Sequence, residues 1–132
     1  METNEAIMKS AKGGAVSPLE AHLGYWLRFV SNQVSQSFGR KLAEIDVSVA
    51  EWVVLREMFD SDPLVPSELA ARIGMTRGAV SKVMDRLEAK SLLIRTTNEQ
   101  DRRFQTVTLS TKGRALVPRL AALADQNDKE FF

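Results

Sequence analysis

The chain has 132 residues, of which 44% are apolar and 27% charged, the composition of one globular domain with a substantial core. It contains no cysteine, which excludes disulfides, thiolate metal sites and cysteine-based redox chemistry. No apolar stretch approaches the roughly 20 residues that span a membrane, and the first residues lack the apolar centre of a signal peptide. We therefore expect a cytoplasmic protein that does not bind membranes.

Positive charge is concentrated in one part of the chain. Residues 72–114 carry ten basic and four acidic side chains, a net +6, whereas residues 1–71 carry six and ten, a net −4. Residues 115–132 have a net charge of −1. A basic stretch of this kind attracts polyanions such as nucleic acid, although charge alone is equally consistent with a solvated surface that has no partner.

A long first helix is predicted after a flexible tail. Residues 1–16 show no periodicity, and we expect them to be loosely ordered. Ser17, Pro18 and Glu20 form a capping-box pattern, from which a helix is predicted to continue to about Glu44. Its apolar residues recur every three or four positions and would form one face: Leu19, Leu23, Trp26, Leu27, Val30, Val34, Phe38 and Leu42.

A second helix is predicted from another capping box, formed by Ser48 and Glu51, and it ends at the turn sequence 60–63. Its predicted inner face consists of Trp52, Leu55, Met58 and Phe59.

Two shorter helices joined by a tight turn come next. Pro66 opens the first, which covers residues 67–73, and Gly74 ends it as a left-handed C-cap. Thr76 then caps a helix that extends to Lys90. The inward positions of the pair are predicted to be Leu69, Ala70, Ile73, Ala79, Val80, Val83, Met84 and Leu87.

The pattern then changes to that of a β-hairpin. Residues 92–96 and 104–109 are short segments rich in β-branched and apolar side chains, separated by a polar loop at 97–103. Ser110 caps a last helix, in which Pro118 lies early enough to be tolerated or to bend the axis.

The helix that begins after Thr76 has two distinct faces. With its apolar residues packed inward, Arg77, Gly78, Ser81 and Lys82 lie on the outer face, within the first two turns. In helix-turn-helix proteins this end of the recognition helix enters the major groove, where arginine and lysine reach guanine or phosphate. Together with the charged hairpin, the pattern predicts a winged helix-turn-helix, mainly α-helical with a small β-wing. For each side chain taken singly, a solvated polar face is the alternative.

The predicted hairpin tip is a second candidate DNA contact, because it contains Asp101, Arg102 and Arg103. An arginine on a narrow β-tip suits the minor groove, where negative potential is enhanced over A·T-rich steps. A carboxylate beside phosphate is unfavourable, so we expect Asp101 to pair with an arginine, most simply Arg103. A solvated turn with incidental charges explains the same spacing equally well.

These segments resemble the MarR family of winged helix-turn-helix regulators over roughly residues 19–125. The matching pieces are Glu68-Leu69-Ala70, Val80-Ser81-Lys82, Asp85-Arg86-Leu87-Glu88, Asp101-Arg102-Arg103 and Leu109-Ser110-Thr111-Lys112-Gly113. The resemblance implies a homodimer on a pseudo-palindromic DNA site, usually a repressor that a small, often aromatic, acid releases from DNA. The predicted DNA-binding residues are Ser67, Thr76, Arg77, Gly78, Ser81, Lys82, Arg86, Asp101, Arg102 and Arg103.

The resemblance also implies a division of the single domain at residues 17–132. A DNA-binding core would occupy residues 48–110, with dimerisation helices at 17–46 and 110–132. Val65 stands where the family usually has a Ser or Thr cap, so the start of the next helix is expected to be looser or shifted. The chain stops where family members continue the final helix, which predicts that the second dimerisation helix is incomplete.

An aromatic group is the candidate effector site. In the resembling family, effectors bind in a crevice between the first helices and the DNA-binding part. Tyr25, Trp26, Phe29 and Trp52 could line such a crevice, with Arg28 to neutralise an acid. Aromatic residues at helical spacing more often belong to the core, and that interpretation remains the alternative.

Neither an enzyme nor a metal site is predicted. His22 is the only histidine, and a zinc site built on it would need carboxylates for its other ligands. No nucleophile–base arrangement and no glycine-rich phosphate loop is recognisable, so we expect no cofactor. The alternative to DNA binding is a winged-helix module that docks proteins, which would expose apolar residues rather than arginine and lysine.

Overall fold

The computed structural model describes residues 15–61, 63–97, 99–100 and 105–132. A 3-10 turn at Leu19–Ala21 precedes α1 (Leu23–Ala43), α2 (Val49–Ser61), α3 (Pro66–Ile73), α4 (Arg77–Ala89), β1 (Leu93–Thr97), β2 (Gln105–Leu109) and α5 (Thr111–Phe131). The predicted mainly α-helical class with a small β-wing is confirmed. The chain divides between Gln36 and Ser37 into two compact units.

In the first unit, the helix begins later than the capping-box pattern predicted. Ser17 caps no helix, because Leu19–Ala21 forms a separate 3-10 turn. The indole N–H of Trp26 donates to the carbonyl of Glu20 at 2.8 Å. In a continuous helix that carbonyl would accept from the backbone N–H four residues on. The predicted start at Ser17 is therefore wrong, and α1 starts at Leu23.

Most large apolar side chains in the described part of the first unit are exposed to solvent. Those with exposed fractions between 44% and 74% are Val16, Leu19, Leu23, Trp26, Leu27, Phe29 and Val30. In the last turns of α1, which belong to the second unit, the same periodicity continues with Phe38 and Leu42, and both are buried. One predicted apolar face thus has two different environments along its length.

The second unit holds the hydrophobic core, to which every one of its helices and both strands contribute. Its buried apolar side chains are Phe38, Leu42, Val47, Val54, Leu55, Met58, Leu64, Leu69, Ala70, Val80, Val83, Met84, Leu87, Leu92, Leu93, Val107, Leu109, Val117 and Leu120. Burial of a leucine- or valine-sized side chain contributes about 1.5–3 kcal/mol each, so this cluster is the main source of stability.

The predicted helix boundaries of α2 and α3 are present. Ser48 Oγ accepts from Glu51 N–H at 3.1 Å, and Glu51 Oε1 accepts from Ser48 N–H at 2.8 Å, which completes the capping box. α3 begins at Pro66, directly after Val65, which supplies no side-chain cap. The absence of a capping side chain at Val65 therefore does not shift the start of α3.

The hairpin is antiparallel, with Leu93 opposite Leu109 and Arg95 opposite Val107. The buried Val107 and Leu109 confirm the alternation predicted for the second strand. The sequence pattern did not predict that Leu64 also pairs with Val107, through backbone hydrogen bonds of 3.0 and 2.8 Å. This bridge attaches the segment before α3 to the sheet.

The final helix is capped as predicted and held at both ends. Ser110 Oγ accepts from Gly113 N–H at 3.0 Å, and the helix continues through Pro118 to Phe131. Near the C-terminus, Lys41 of α1 donates to Asn127 Oδ1 at 2.9 Å and pairs with Glu130 at 2.8 Å. These contacts join the last turns of α1 to the end of α5.

Candidate nucleic-acid interface

A tight turn connects α3 to α4. Gly74 has φ +70°, the left-handed conformation that ends a helix and that residues with a Cβ rarely adopt. Thr76 is extended, and its Oγ1 accepts from Ala79 N–H at 3.1 Å. The predicted C-cap and N-cap therefore lie two residues apart, and they set α3 and α4 against each other as a helix-turn-helix.

The outer face of α4 is polar and exposed, as the helical pattern predicted. Val80, Val83, Met84 and Leu87 are buried on its inner face. The predicted DNA-binding residues of this helix are all exposed: Thr76, Arg77, Gly78, Ser81, Lys82 and Arg86. Within the described part of the chain, the side chains of Arg77, Lys82 and Arg86 take part in no ion pair, so their charge is available to a ligand.

Three of the predicted residues line one open cleft of about 370 Å³. Ser67, at the start of α3, and Arg77 and Ser81, on α4, are among its lining side chains. Arg95 of β1 and Gln105 of β2 complete the polar lining. Lys82 and Arg86 do not line the cleft and lie elsewhere on the exposed side of α4.

Arg95 is a residue of this interface that sequence reasoning missed. It lies on β1, and its guanidinium donates to Asp85 Oδ1 of α4 at 2.7 Å, with Glu88 Oε2 at 3.9 Å. The side chain is only 22% exposed, whereas the neighbouring Ile94 is 51% exposed. This reverses the usual burial of an arginine and an isoleucine. The only sequence signal was the strand alternation, which puts Arg95 on the same side as the buried Leu93.

The tip of the wing lies outside the described residues. The predicted pairing of Asp101 with Arg103, and the predicted contact by Arg102, both fall on positions 101–104 and remain predictions. On either side of the tip, β1 ends at Thr97 and β2 begins at Gln105, so the strands extend to its base.

The candidate effector residues fall in the two units. In the first unit, Tyr25, Trp26 and Phe29 form one aromatic cluster, with ring centroids 5.2, 6.4 and 5.9 Å apart. Arg28 is exposed. In the second unit, half-buried Trp52 packs edge-to-face on Phe38 at 6.1 Å.

No group of three or more His, Asp or Glu side chains in the described residues could hold a metal ion, and His22 is exposed. None of the described helices is both long and apolar enough to cross a membrane.

The C-terminal end of α4 has a different electrostatic environment from its start. Lys90, the C-cap, donates to Glu51 Oε1 at 3.1 Å and to the carbonyl of Asp46 at 2.6 Å. Burial alone would raise the pKa of Glu51. The hydrogen bonds from Lys90 and from Ser48, together with the positive charge of Lys90, outweigh that effect and lower the pKa below its usual value. Glu51 is therefore an ionised buried group, with only 3% of its side chain exposed.

A tight helix pair, a second helix with an exposed basic face and an antiparallel wing define a winged helix-turn-helix regulator. Comparison with known proteins agrees. Residues 47–104 match the sequence model of the MarR family. An HTH-type transcriptional regulator from Bacillus cereus is 33% identical over 106 residues, covering 76% of this chain and 67% of the relative. The chain belongs to the MarR family of transcriptional regulators and is not an enzyme.

Solved structures show the same fold. A mutant MarR from E. coli in complex with operator DNA matches with a TM-score of 0.75 and 25% identity, covering 83% of this chain and 79% of that one. BpsR from Bordetella bronchiseptica, whose DNA binding is regulated by 6-hydroxynicotinic acid, matches with a TM-score of 0.76 and 27% identity. That match covers 84% of this chain and 79% of BpsR. The similarity to a DNA complex supports double-stranded DNA as the partner of this chain.

Proposed function

We propose that this chain is a sequence-specific repressor that binds a pseudo-palindromic operator as a homodimer and is released from DNA by a small organic acid. The observation that carries the proposal is the exposed N-terminal half of α4. Arg77, Ser81 and Lys82 face solvent there, at the positive end of the helix dipole and beside the base of the wing.

The proposed contacts divide into two kinds. Arg77 and Ser81 lie closest to the tight turn and would read base edges in the major groove. Lys82 and Arg86, further along the exposed side, would neutralise phosphates and set the affinity common to all sequences. The wing arginines Arg102 and Arg103 would enter the adjacent minor groove, with Asp101 orienting Arg103.

Dimerisation is supported by the exposed apolar side chains of residues 15–36. Leu19, Leu23, Leu27 and Val30 are spaced four, four and three residues apart and are between 45% and 74% exposed. A row of this kind is unfavourable in water and is typical of a surface that a second copy covers. In such a dimer, the two recognition helices would lie about one turn of DNA apart, roughly 34 Å.

Effector control is supported by the relative whose DNA binding a hydroxylated aromatic acid regulates. The cluster of Tyr25, Trp26 and Phe29, with Arg28 nearby in sequence, has the chemistry to bind an aromatic carboxylate. Trp52 packs on Phe38, which is the contact expected of a core residue, so we assign it the weakest claim among the effector candidates.

The test is selection of a binding site from a random duplex pool, followed by fluorescence anisotropy at several salt concentrations and sedimentation of the complex. We expect one palindromic site, a dimer on that site and a steep fall of affinity with salt. Addition of 6-hydroxynicotinic acid tests the effector proposal. A folded chain that binds no duplex at low salt would contradict operator binding and favour the protein-docking alternative.

A further inference from the structure

The side chain of Lys90 makes the ion-pair contacts of the C-terminal end of α4 with α2 and the turn before it. The ammonium group of Lys90 has four oxygen neighbours, two on the turn between α1 and α2 and two in the first turn of α2. They are the Asp46 carbonyl at 2.6 Å, Glu51 Oε2 at 2.9 Å, Glu51 Oε1 at 3.1 Å and Asp46 Oδ2 at 3.7 Å. Lys90 lies 39 residues from Glu51, so this attachment is a tertiary one.

Glu51 is a suitable fixed point for this contact. Its backbone N–H and its Oε1 are both engaged with Ser48 in the capping box, so neither the backbone nor the carboxylate can rotate freely. Asp46 is held as well. Its φ of +58° places it in the turn after α1, and its backbone N–H donates to the Ala43 carbonyl at 3.1 Å. The ammonium of Lys90 therefore meets acceptors whose positions are already determined.

The start of α5 converges on the same point. Lys112 Nζ donates to the Lys90 carbonyl at 3.2 Å, and Ser110 Oγ donates to the Ser91 carbonyl at 2.6 Å. A Cβ on Gly113 would collide with the Leu92 carbonyl, which shows how closely the first turn of α5 approaches residues 90–92. The α1–α2 turn and α5 thus hold the last residue of α4 from two directions.

We propose that Lys90 is a positioning residue for DNA recognition: its pairing with Glu51 sets the direction of α4 and thereby aims Arg77 and Ser81 at the bases. Lys90 itself would not touch DNA. α4 is roughly 20 Å long, so a tilt of about 5° at Lys90 moves the other end by about 2 Å. That displacement is enough to break a bidentate contact to a base. The inference rests on the proposed DNA binding.

A stabilising role alone explains these contacts less well. The net contribution of a buried ion pair to stability is often near zero, because desolvation of both charges offsets their attraction. Such a pair favours a short separation of its two groups, since the attraction between ammonium and carboxylate weakens as they move apart. Lys90 is half-buried, whereas Arg77 and Gly78 at the other end of α4 are exposed.

The experiment compares Lys90→Met, Glu51→Gln and the double variant with the wild-type chain on the DNA site that the wild type selects. Methionine keeps the stem of Lys90 without its charge, and glutamine keeps the capping box without the ion pair. Arg56→Met, at an exposed position of α2 outside the proposed DNA contacts and the predicted dimerisation helices, is the control for the loss of one positive charge. Anisotropy is measured on the selected site and on scrambled duplex, at a temperature where circular dichroism shows every variant folded.

We expect Lys90→Met to bind the selected site about tenfold more weakly, with unchanged affinity for scrambled duplex and an unchanged slope of affinity against salt. The double variant should bind no more weakly than Lys90→Met alone, because the two changes remove one interaction. Arg56→Met should resemble the wild type. A purely stabilising pair would lower the melting temperature and leave the affinity of the folded protein unchanged.

Three results would overturn the inference. One is a folded Lys90→Met that binds the selected site within twofold of the wild type. A second is an equal loss on selected and scrambled DNA with a shallower salt slope, which would make Lys90 a phosphate contact. The third is a wild-type chain that selects no site. That result overturns the proposed function as well, whereas the first two overturn only the role of Lys90. If Lys90→Met does not fold, the double variant Lys90→Gln with Glu51→Gln replaces the ion pair by two neutral amides. Its affinities for the selected site and for scrambled duplex are then compared with those of the wild type.

Discussion

The two ends of α4 are built for different tasks. At the first turns, Arg77 and Lys82 project into solvent without ion pairs among the described residues, and the Thr76 side chain caps the backbone. At the C-cap, Lys90 is half-buried and contacts Glu51 and Asp46. An end that must contact a ligand keeps its polar groups unsatisfied, whereas an end that must keep a direction satisfies them within the protein. Four predictions test that contrast, from the largest expected effect to the smallest.

The largest effect is expected from adding one methyl group at Gly113, which packs against the residues that follow α4, in comparison with Gly78 at the start of α4. Gly113→Ala brings a Cβ against the backbone carbonyl of Leu92, and neither group can move without displacing α5 or the wing. We expect a loss of about 3 kcal/mol in the free energy of unfolding. Gly78→Ala, at the exposed end of α4, meets nothing within 4 Å and should stabilise the helix by about 0.5–1 kcal/mol.

Urea denaturation of both alanine variants and of the wild type measures these two changes in the free energy of unfolding. Equal stability of Gly113→Ala and the wild type would show that the close approach of α5 to residues 90–92 is not maintained. Because Gly78 is in the proposed DNA interface, Gly78→Ala should also bind the selected site more weakly, although it unfolds at a higher urea concentration than the wild type.

The second prediction concerns the exposed end alone. Arg77→Ala removes a side chain with no ion pair in the described structure, so stability should be unchanged within about 0.5 kcal/mol. If Arg77 reads a base, affinity for the selected site falls by about 1–3 kcal/mol, and discrimination at one position of the operator is lost. Arg119→Ala, on α5, is the charge-matched control. An equal loss for both variants would contradict the assignment.

The third prediction is a pH dependence at the attached end. The folded-state pKa of Glu51 is below its usual value, so the ionised group stabilises the fold above the ordinary carboxyl pKa of about 4.3. This contribution is lost as the pH falls through the folded-state pKa, where protonation weakens the pairing with Lys90. The stability of Glu51→Gln should therefore fall less than that of the wild type between pH 5 and pH 3, approximately, in chemical denaturation at each pH. Parallel pH profiles would show that Glu51 does not titrate as a paired group.

The smallest effect is expected at the contact between the wing and α4. Asp85→Asn weakens the pairing with Arg95, but Asp85 is 65% exposed, and water screens the interaction. We expect a loss of stability below about 1 kcal/mol that disappears in high salt. Thermal unfolding with and without added salt measures it. A larger loss of stability that salt does not reduce would contradict the expectation that solvent screens the pair of Asp85 and Arg95.

The local signals in the sequence predicted the boundaries of the second unit well. Ser48 with Glu51, Thr76 and Ser110 each cap a helix through a partner three residues away, so both members of the interaction are visible in one short window. Gly74 ends α3 with the left-handed φ that its residue type allows. The exposed set on α4 follows from the helical period, because the apolar residues of the same helix determine the opposite face.

The predictions that were wrong or missing involve contacts that the short sequence patterns do not contain. Ser17 shows a capping-box pattern, yet the hydrogen bond from Trp26 to the Glu20 carbonyl belongs to a different local structure. Strand alternation puts Arg95 on the same side as Leu93, but only the position of α4 supplies the carboxylate of Asp85 beside it.

The sequence alone determined the helix-turn-helix and the polar face of α4, because both depend on caps and periodicities within a few residues. Tertiary structure alone decided what holds α4 in place and which strand residues face it. The contact of Lys90 with Glu51 and the bridge between Leu64 and Val107 join residues about forty positions apart. Whether such groups meet depends on the packing of the whole core, which no single window of sequence contains.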